Sequence, residues 1–180
     1  CTISRANAHV SYPARFQLVA AMNPCRCGYL GDPARECARA PGCGADYQMR
    51  LSGPLLDRMD IVIEVQPIAA AELARAPAGE PSAVVAARVA AARERARARA
   101  RIGGGATRNA EAGWDELQPK LEPEALALLE TAGTRLRLST RGQVRALRVA
   151  RTIADLAGAA RIGRAHVAEA LAFRHRVPGR

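Results

Sequence analysis

Two short apolar runs do most to limit the folds open to this chain. Residues 16–22 read FQLVAAM and are stopped by Pro24, and residues 60–65 read DIVIEV. Continuous apolar runs of this length are typical of strands buried on both faces of a parallel sheet, and proline ends such a strand because it has no N–H to donate. We therefore predict an α/β fold with both runs as strands.

A short hairpin is predicted before the first run. Residues 2–4 and 9–12 have β-like composition, and they flank the polar, turn-prone triplet Arg5-Ala6-Asn7. Two such segments around a tight turn favour antiparallel pairing.

The second half of the chain is predicted to be helical. An Ala- and Arg-rich helix over residues 82–101 should end at Gly103-Gly104-Gly105. Three shorter helices follow: one from Pro123 to Gly133, one capped by Ser139 or Thr140, and one from about Arg164. This pattern predicts a linker with a long helix over 69–105 and a small α-helical lid over 106–180.

Composition narrows the class of protein. The chain has an apolar fraction of 49% and 3% aromatic residues, enough for an aliphatic core. No apolar run has the roughly twenty residues that cross a bilayer, and no signal pattern opens the chain, so we expect a cytoplasmic protein. The net charge is +10, and Lys120 is the sole lysine. An Arg-rich basic chain favours a polyanionic partner such as nucleic acid, although a GC-rich genome also produces this composition.

Four cysteines, Cys25, Cys27, Cys37 and Cys43, lie in a loop rich in Gly and Pro. Four thiolates in a loop too irregular to fold by burial suit a tetrahedral structural Zn²⁺. Reduced thiols packed in a loop are the alternative. Cys1 lies outside the cluster and is interpreted as a spare thiol.

The positions of one asparagine and one arginine make them candidate catalytic residues. Asn23 ends the first apolar run, and Arg58 follows in the otherwise apolar LSGPLLDRMD segment. Phosphate-cleaving motors use an amide to orient the attacking water and a guanidinium to neutralise charge on the transferred phosphoryl group. The alternatives are an Asn that caps a turn before Pro24 and a surface Arg paired with Asp57 or Asp60.

Three strings carry a family resemblance: ISRANAHVSYPARFQLVAAMNPCRCGYLGD, LSGPLLDRMDIVIEV and LSTRGQVRALRVARTIADLAG. In this order they resemble the Mg-chelatase-like branch of the AAA+ ATPases, specifically the ComM family of competence proteins. Members of that family are hexameric, ATP-driven DNA helicases that promote branch migration in natural transformation.

The resemblance implies a domain organisation and a missing part. Residues 1–68 would be the second half of an AAA+ α/β core, and 69–180 the linker and the lid. A P-loop of the form GxxxxGK[ST] is absent from this sequence. ATP and Mg²⁺ would then be bound mainly by an upstream half, and we expect no appreciable ATP hydrolysis by this chain alone.

The resemblance also implies roles for single residues. Asn23 would be sensor 1, and Arg58 would be the arginine finger that reaches a neighbouring subunit's nucleotide. Arg141 would be sensor 2 on the STRGQVRALRVAR helix, with Arg145 and Arg148 as the next candidates, and sequence does not choose cleanly between Arg141 and Arg145. A solvated basic face is the alternative for Arg148 and Arg151. Arg5 would contact the DNA backbone from a hairpin like the pre-sensor-1 insertion of related helicases, or would have no partner.

Two rival functions remain open. The ATPase subunit of a true magnesium chelatase shares Asn23, Arg58 and Arg141, but its characteristic form lacks the cysteine insertion. A non-enzymatic, zinc-dependent nucleic-acid-binding module would explain the charge and the cysteines alone.

Overall fold

The computed structural model describes residues 1–30, 35, 37–66, 68 and 70–174, and these form two compact units. The first unit comprises residues 1–50, and the second begins at Leu51. The elements are β1 (Thr2–Arg5), β2 (Ala8–Ser11), α1 (Gly42–Gln48), α2 (Gly53–Leu56), α3 (Ala70–Leu73), α4 (Ser82–Gly103), α5 (Trp114–Leu117), α6 (Pro123–Arg135), α7 (Thr140–Leu156) and α8 (Arg164–Ala172).

The predicted hairpin is present in the first unit. Strands β1 and β2 pair antiparallel, with Ile3 opposite Val10 and Arg5 opposite Ala8. Side chains add to the ladder: the hydroxyls of Thr2 and Ser11 lie 2.9 Å apart. The hairpin is exposed along both strands, so it forms a surface ribbon.

The prediction of two parallel strands is wrong. In the described part of the chain, residues 16–22 and 60–65 form no strand, and β1–β2 is the single sheet. A parallel strand needs a neighbour for its backbone groups and cover on its faces, and here the side chain of Phe16 is 76% exposed and that of Val19 85%. The described fold is therefore mostly helical, and the sheet of an AAA+ core is not seen.

The helices of the second unit follow their sequence signals closely. Helix α4 ends at Gly103 and is capped by Gly104, whose φ of +66° is the left-handed conformation that glycine adopts without steric cost. Helix α7 begins after Ser139, whose hydroxyl accepts a hydrogen bond from the Gly142 N–H at 3.0 Å.

One helix end differs from the prediction. Helix α6 continues through Gly133 to Arg135, and the chain turns at Arg137, whose φ is +49°. Gly133 is buried, and an added Cβ there would lie 3.1 Å from the side chain of Gln143. This glycine permits close packing between helices and does not end one.

The core lies between α6, α7 and α8. Its largest fully buried apolar side chains are Leu117, Leu129, Leu147, Ile162 and Val167. Helix α4 packs on α7 through one small-residue face that contains Ala92, Ala96 and Ala100. The unit is thus a helical bundle whose central element is α7.

Candidate functional site

Residues 51–60, which we call the finger segment, are organised by a short capped helix. Ser52 caps α2, because its Oγ accepts a hydrogen bond from the Leu55 N–H at 3.3 Å. The chain leaves α2 through Asp57 in a tight turn, in which the N–H of Met59 donates to the carbonyl of Leu56 at 3.0 Å. This turn presents the side chain of Arg58 at the surface.

The carboxylates that flank Arg58 are both paired with other arginines. Nη2 of Arg174 lies 3.1 Å from Oδ1 of Asp57, and Nη1 of Arg145 lies 2.7 Å from Oδ1 of Asp60. Arg58 itself donates from Nη1 to the carbonyl of Pro54 at 2.7 Å. Within the described residues, the surface ion pair considered for Arg58 does not form, and its guanidinium stays exposed with a backbone carbonyl as its partner.

The two candidates for sensor 2 have different environments. Arg141 lies exposed in the first turn of α7, and among the described residues it has no hydrogen-bond or ion-pair partner. Arg145 lies one turn further on, and its side chain is 22% exposed and engaged with Asp60. Both line a shallow depression of about 300 Å³ at the start of α7, together with Thr140, Val144 and Arg148.

That depression has the features of an anion site. The start of a helix carries partial positive charge from its unpaired N–H groups, and arginine side chains add full charge and fixed donor geometry. Arg148 contributes less freely than Arg141, because its Nε donates to the carbonyl of Ala112 at 2.8 Å.

Arg151 is not part of a solvated basic face. Its side chain is 1% exposed and contacts Asp155 at 2.9 Å, and it donates to the carbonyls of Ala159 and Ala160. Burial lowers the pKa of Arg151, although the charge of Asp155 opposes that shift. This arginine is therefore structural.

The remaining predicted motor residues lie in the first unit. Asn23 is exposed and follows the irregular segment that includes residues 16–22. Arg5 is the last residue of β1, beside the Ala6-Asn7 turn, and it is exposed. Asn23 and Arg58 belong to different units, so their joint role stays a prediction.

The cysteine cluster is compact. The Sγ atoms of Cys25 and Cys27 lie 3.1 Å apart, and the Sγ atoms of Cys25, Cys27 and Cys43 all lie within 4.8 Å of one another. Cys37 and Cys43 line one cavity of about 340 Å³ with Cys27, Arg26 and Arg39.

Helix α1 and a glycine turn hold this cluster together. Gly28 has a φ of +84°, and its N–H donates to the carbonyl of Cys25 at 3.1 Å, which closes the CRCG turn. Gln48 of α1 donates to the carbonyl of Pro24 at 3.1 Å, and an added Cβ at Gly44 would lie 2.5 Å from Leu30. The loop predicted to be irregular thus contains a helix packed on the CRCG turn.

The four thiols divide into donors and acceptors. Burial would raise the pKa of Cys25, but hydrogen bonds from the Cys27 thiol and from the Leu30 amide outweigh it and lower that pKa to about 7. The hydrogen bond to Cys37, together with burial, raises the pKa of Cys43 to about 12. A hydrogen bond from the Arg39 amide leads the causes that lower the pKa of Cys37. Thiols that share protons in this way are a suitable donor set for one divalent soft cation.

Sequence reasoning missed Arg174, which contacts the finger segment across the unit. Its side chain is 6% exposed, and burial lowers its pKa while Asp57 and Asp60 oppose that effect. The signal available in the sequence was indirect: two carboxylates flank Arg58 and need cationic partners, and nothing in the spacing indicates which arginines supply them.

Two family profiles match the chain in sequence order. Residues 1–73 match "Magnesium chelatase, subunit ChlI", and residues 79–174 match "Magnesium chelatase, subunit ChlI C-terminal". The chain belongs to the magnesium chelatase ChlI family. The C-terminal profile covers α4 to α8 of the helical bundle in this ChlI-family chain.

Curated relatives of this ChlI-family chain come from several bacteria. It is 43% identical over 176 residues to "Competence protein ComM" of Haemophilus influenzae, and 41% identical over 175 residues to "Uncharacterized protein YifB" of Escherichia coli. An uncharacterized protein of Mycobacterium tuberculosis is 44% identical over 174 residues. Each match covers 96% of this chain and 33–34% of the relative, so the chain spans about a third of the length of these relatives. The resemblance to ComM-like members inferred from the sequence is confirmed.

The described helices offer no membrane crossing: none combines the length and the apolar character that a bilayer requires.

Proposed function

We propose that this chain supplies the finger and sensor elements of an ATP-driven, ring-forming DNA motor of the ComM type, which acts in the cytoplasm. The observation that carries the proposal is the state of Arg58. Its two neighbouring carboxylates are paired elsewhere, and its exposed guanidinium is available to a partner molecule. A finger of this kind stabilises charge on a phosphoryl group bound to another subunit, so activity and assembly, as a hexamer, become inseparable.

Arg141 is the proposed nucleotide contact within the chain. It lies at the capped start of α7, where the helix dipole favours an anion and no carboxylate of the described residues competes for its guanidinium. Arg145, the other candidate, lines the same depression but is paired with Asp60. Asn23 is proposed to orient the attacking water, and ATP and Mg²⁺ would be bound mainly outside this chain.

The cysteine cluster is proposed to bind a structural Zn²⁺. The donor set fits, because three Sγ atoms lie close enough to share one ion and Cys37 borders the same cavity. Bound zinc would supply cross-links that a Gly- and Pro-rich loop cannot obtain from burial.

Arg5 is proposed to contact the DNA backbone. It is exposed at the end of a surface hairpin, where a guanidinium can reach a phosphate without disturbing a core. Low aromatic content leaves few side chains for base stacking, so backbone contacts would dominate.

The rival functions predict different behaviour. A magnesium chelatase subunit would show no response of ATP hydrolysis to DNA. A zinc-dependent nucleic-acid-binding module would bind DNA tightly as the 180-residue chain alone, without nucleotide. The ring motor predicts weak binding by the chain alone.

A chimaera tests the proposal directly. This chain would replace the matching third of the Haemophilus influenzae ComM protein, and ATP hydrolysis would be measured with and without DNA. We expect hydrolysis by the chimaera and none by the 180-residue chain. Arg58→Ala should reduce kcat by at least about 10³-fold with nucleotide binding retained, the magnitude that arginine fingers supply.

The matched control is Arg135→Ala, which removes an exposed arginine at the end of α6. We expect unchanged hydrolysis in that variant. Unaltered turnover in Arg58→Ala, or robust ATP hydrolysis by the 180-residue chain, would refute the proposal.

A further inference from the structure

Two arginines of the helical bundle contact the backbone of the finger segment on both sides of Arg58. Arg174 donates to the carbonyl of Asp57 at 3.3 Å and to that of Met59 at 3.2 Å. Arg145 donates to the carbonyl of Arg58 itself at 2.5 Å. Two arginine side chains from outside the segment thus donate hydrogen bonds to three successive carbonyl groups.

The same arginines hold the carboxylates of the segment. Arg174 also reaches Oδ1 of Asp57, and Arg145 also reaches Oδ1 of Asp60. The Ser139 hydroxyl, which caps α7, lies 3.4 Å from Oδ2 of Asp57. Each arginine therefore binds one carboxylate and at least one carbonyl, which a planar guanidinium does with little freedom to rotate.

Burial separates these contacts from ordinary surface ion pairs. The side chains of Arg174 and Asp57 are 6% and 37% exposed, and those of Arg145 and Asp60 are 22% and 50% exposed. The exposed pair Arg101–Glu94 has values of 65% and 57%, so it is the arginine of each pair at the finger segment that is more buried. Solvent weakens exposed pairs, but it screens partly buried ones much less. The contacts around Arg58 should therefore restrain the segment measurably.

We propose that Arg145 and Arg174 form a clamp that sets the direction of Arg58 and joins the finger segment to α7. In this proposal, which rests on the function proposed above, Arg145 is a positioning residue and not a nucleotide contact. The clamp fixes the backbone at residues 57–59, and this backbone sets the position from which the side chain of Arg58 can reach a partner.

The clamp also links two parts of the site. Arg141 lies four residues before Arg145, on the same face of α7, and both border the depression at the helix start. An anion held by Arg141 and the backbone held by Arg145 therefore share one rigid helix. Movement of α7 on nucleotide binding would be transmitted to the finger segment through the Arg145 guanidinium.

The contacts themselves can be tested on the 180-residue chain by amide hydrogen exchange. The N–H groups of Asp57, Arg58 and Met59 are hydrogen-bonded within the segment, and that of Val62 donates to the carbonyl of Phe173. Arg145→Met should speed exchange at these amides about tenfold. Arg161→Met is the matched control, because it also removes a charge and an arginine-to-carbonyl bond, to Leu121, but leaves the segment untouched. Equal exchange in Arg145→Met and in the unaltered chain would overturn the clamp.

The positioning role is tested in the chimaera through the split between kcat and KM. Arg145→Met should lower kcat about tenfold while KM for ATP changes less than about twofold. Asp60→Asn should give a smaller loss, and adding it to Arg145→Met should cause no further loss, because both changes break one contact. A raised KM with unchanged kcat in Arg145→Met would instead make Arg145 a nucleotide contact and would overturn the proposal.

The two proposals fail in different ways. Full activity in Arg58→Ala would end the finger assignment, and the exchange result would still decide whether the clamp exists. Loss of activity in Arg58→Ala, with normal kcat in Arg145→Met, would retain the finger and overturn the clamp as its positioning device.

Discussion

Arg99 forms a two-point ion pair with Asp155: Nη1 lies 2.7 Å from Oδ1, and Nη2 lies 3.0 Å from Oδ2. The carboxylate is 3% exposed and also receives Nη2 of Arg151 at 2.9 Å and Nδ2 of Asn109 at 2.8 Å. Arg95 donates to the backbone carbonyl of Asp155 at 2.8 Å. Helix α4 is thus joined to α7 by a buried charge network as well as by its alanine face.

Removal of this carboxylate should destabilise the bundle strongly. Asp155→Ala leaves the buried charge of Arg151 without its anion, and breaking a buried pair in this way costs about 3–5 kcal/mol. Urea unfolding of the 180-residue chain measures the change. Glu94→Ala, which breaks the exposed pair with Arg101, should change the free energy of unfolding far less, because solvent weakens an exposed pair. Similar losses in the two variants would contradict the buried network.

The network should also make stability depend on acid pH. Burial raises the pKa of Asp155, but hydrogen bonds from Arg99 and Asn109 outweigh it and hold the pKa below the usual value. A lowered folded-state pKa gives stability that is present above the unfolded pKa of about 3.9 and is lost as pH falls through the folded value. The free energy of unfolding should therefore drop below about pH 4. In Asp155→Asn that part of the pH dependence should be missing. If the free energy of unfolding of this variant falls with acid pH as in the unaltered chain, Asp155 is not the group responsible.

Zinc content tests the cysteine cluster. We expect about one Zn²⁺ per purified chain and loss of the metal in Cys25→Ser and Cys43→Ser, because a tetrahedral site with a missing thiolate binds weakly. Mass spectrometry under native conditions reports both. Cys37→Ser shows whether the fourth thiol is a ligand, and Cys1→Ser, at an exposed thiol outside the cluster, should keep the metal. Far less than one zinc per unaltered chain counts against the site.

The end of α4 offers a matched pair of glycine substitutions. Gly104 has a φ of +66°, and an alanine there should cost about 1–2 kcal/mol because its Cβ crowds the left-handed backbone. Gly103 lies within the helix with open space around it, so an alanine there should stabilise by about 0.5–1 kcal/mol. Thermal unfolding of both variants should shift in opposite directions, and shifts of equal sign would be inconsistent with the αL cap.

DNA binding by the chimaera should depend on Arg5. Arg5→Ala should weaken binding to all sequences alike and reduce the slope of log affinity against log salt, by about 0.7–0.9 for each lost phosphate contact. Fluorescence anisotropy across a salt series measures the slope. Arg164→Ala, at an exposed position of α8, serves as the control of equal charge. Identical slopes for the two variants would show that Arg5 does not contact the DNA backbone.

Local signals predicted the hairpin and the helices well. The Ser139 N-cap and the Gly104 C-cap act over a few residues, so their effect can be predicted from the adjacent sequence. Gly133 was misread as a helix end, because the same letter also serves close packing, here against Gln143 of α7.

The cysteine cluster was predictable as a set, but its geometry was not. Spacing brought Cys25 and Cys27 together, whereas the approach of Cys43 depends on α1 packing against the CRCG turn.

Short-range chemistry along the chain established the helices, the hairpin, the cysteine set and the family. Folding in three dimensions decided that Arg145 and Arg174 hold the finger segment, because Arg174 and Met59 are 115 positions apart and no period or spacing relates them. It also decided that residues 16–22 do not form a strand. Their composition favours a strand, but a strand exists only where another backbone pairs with it, and among the described residues none does.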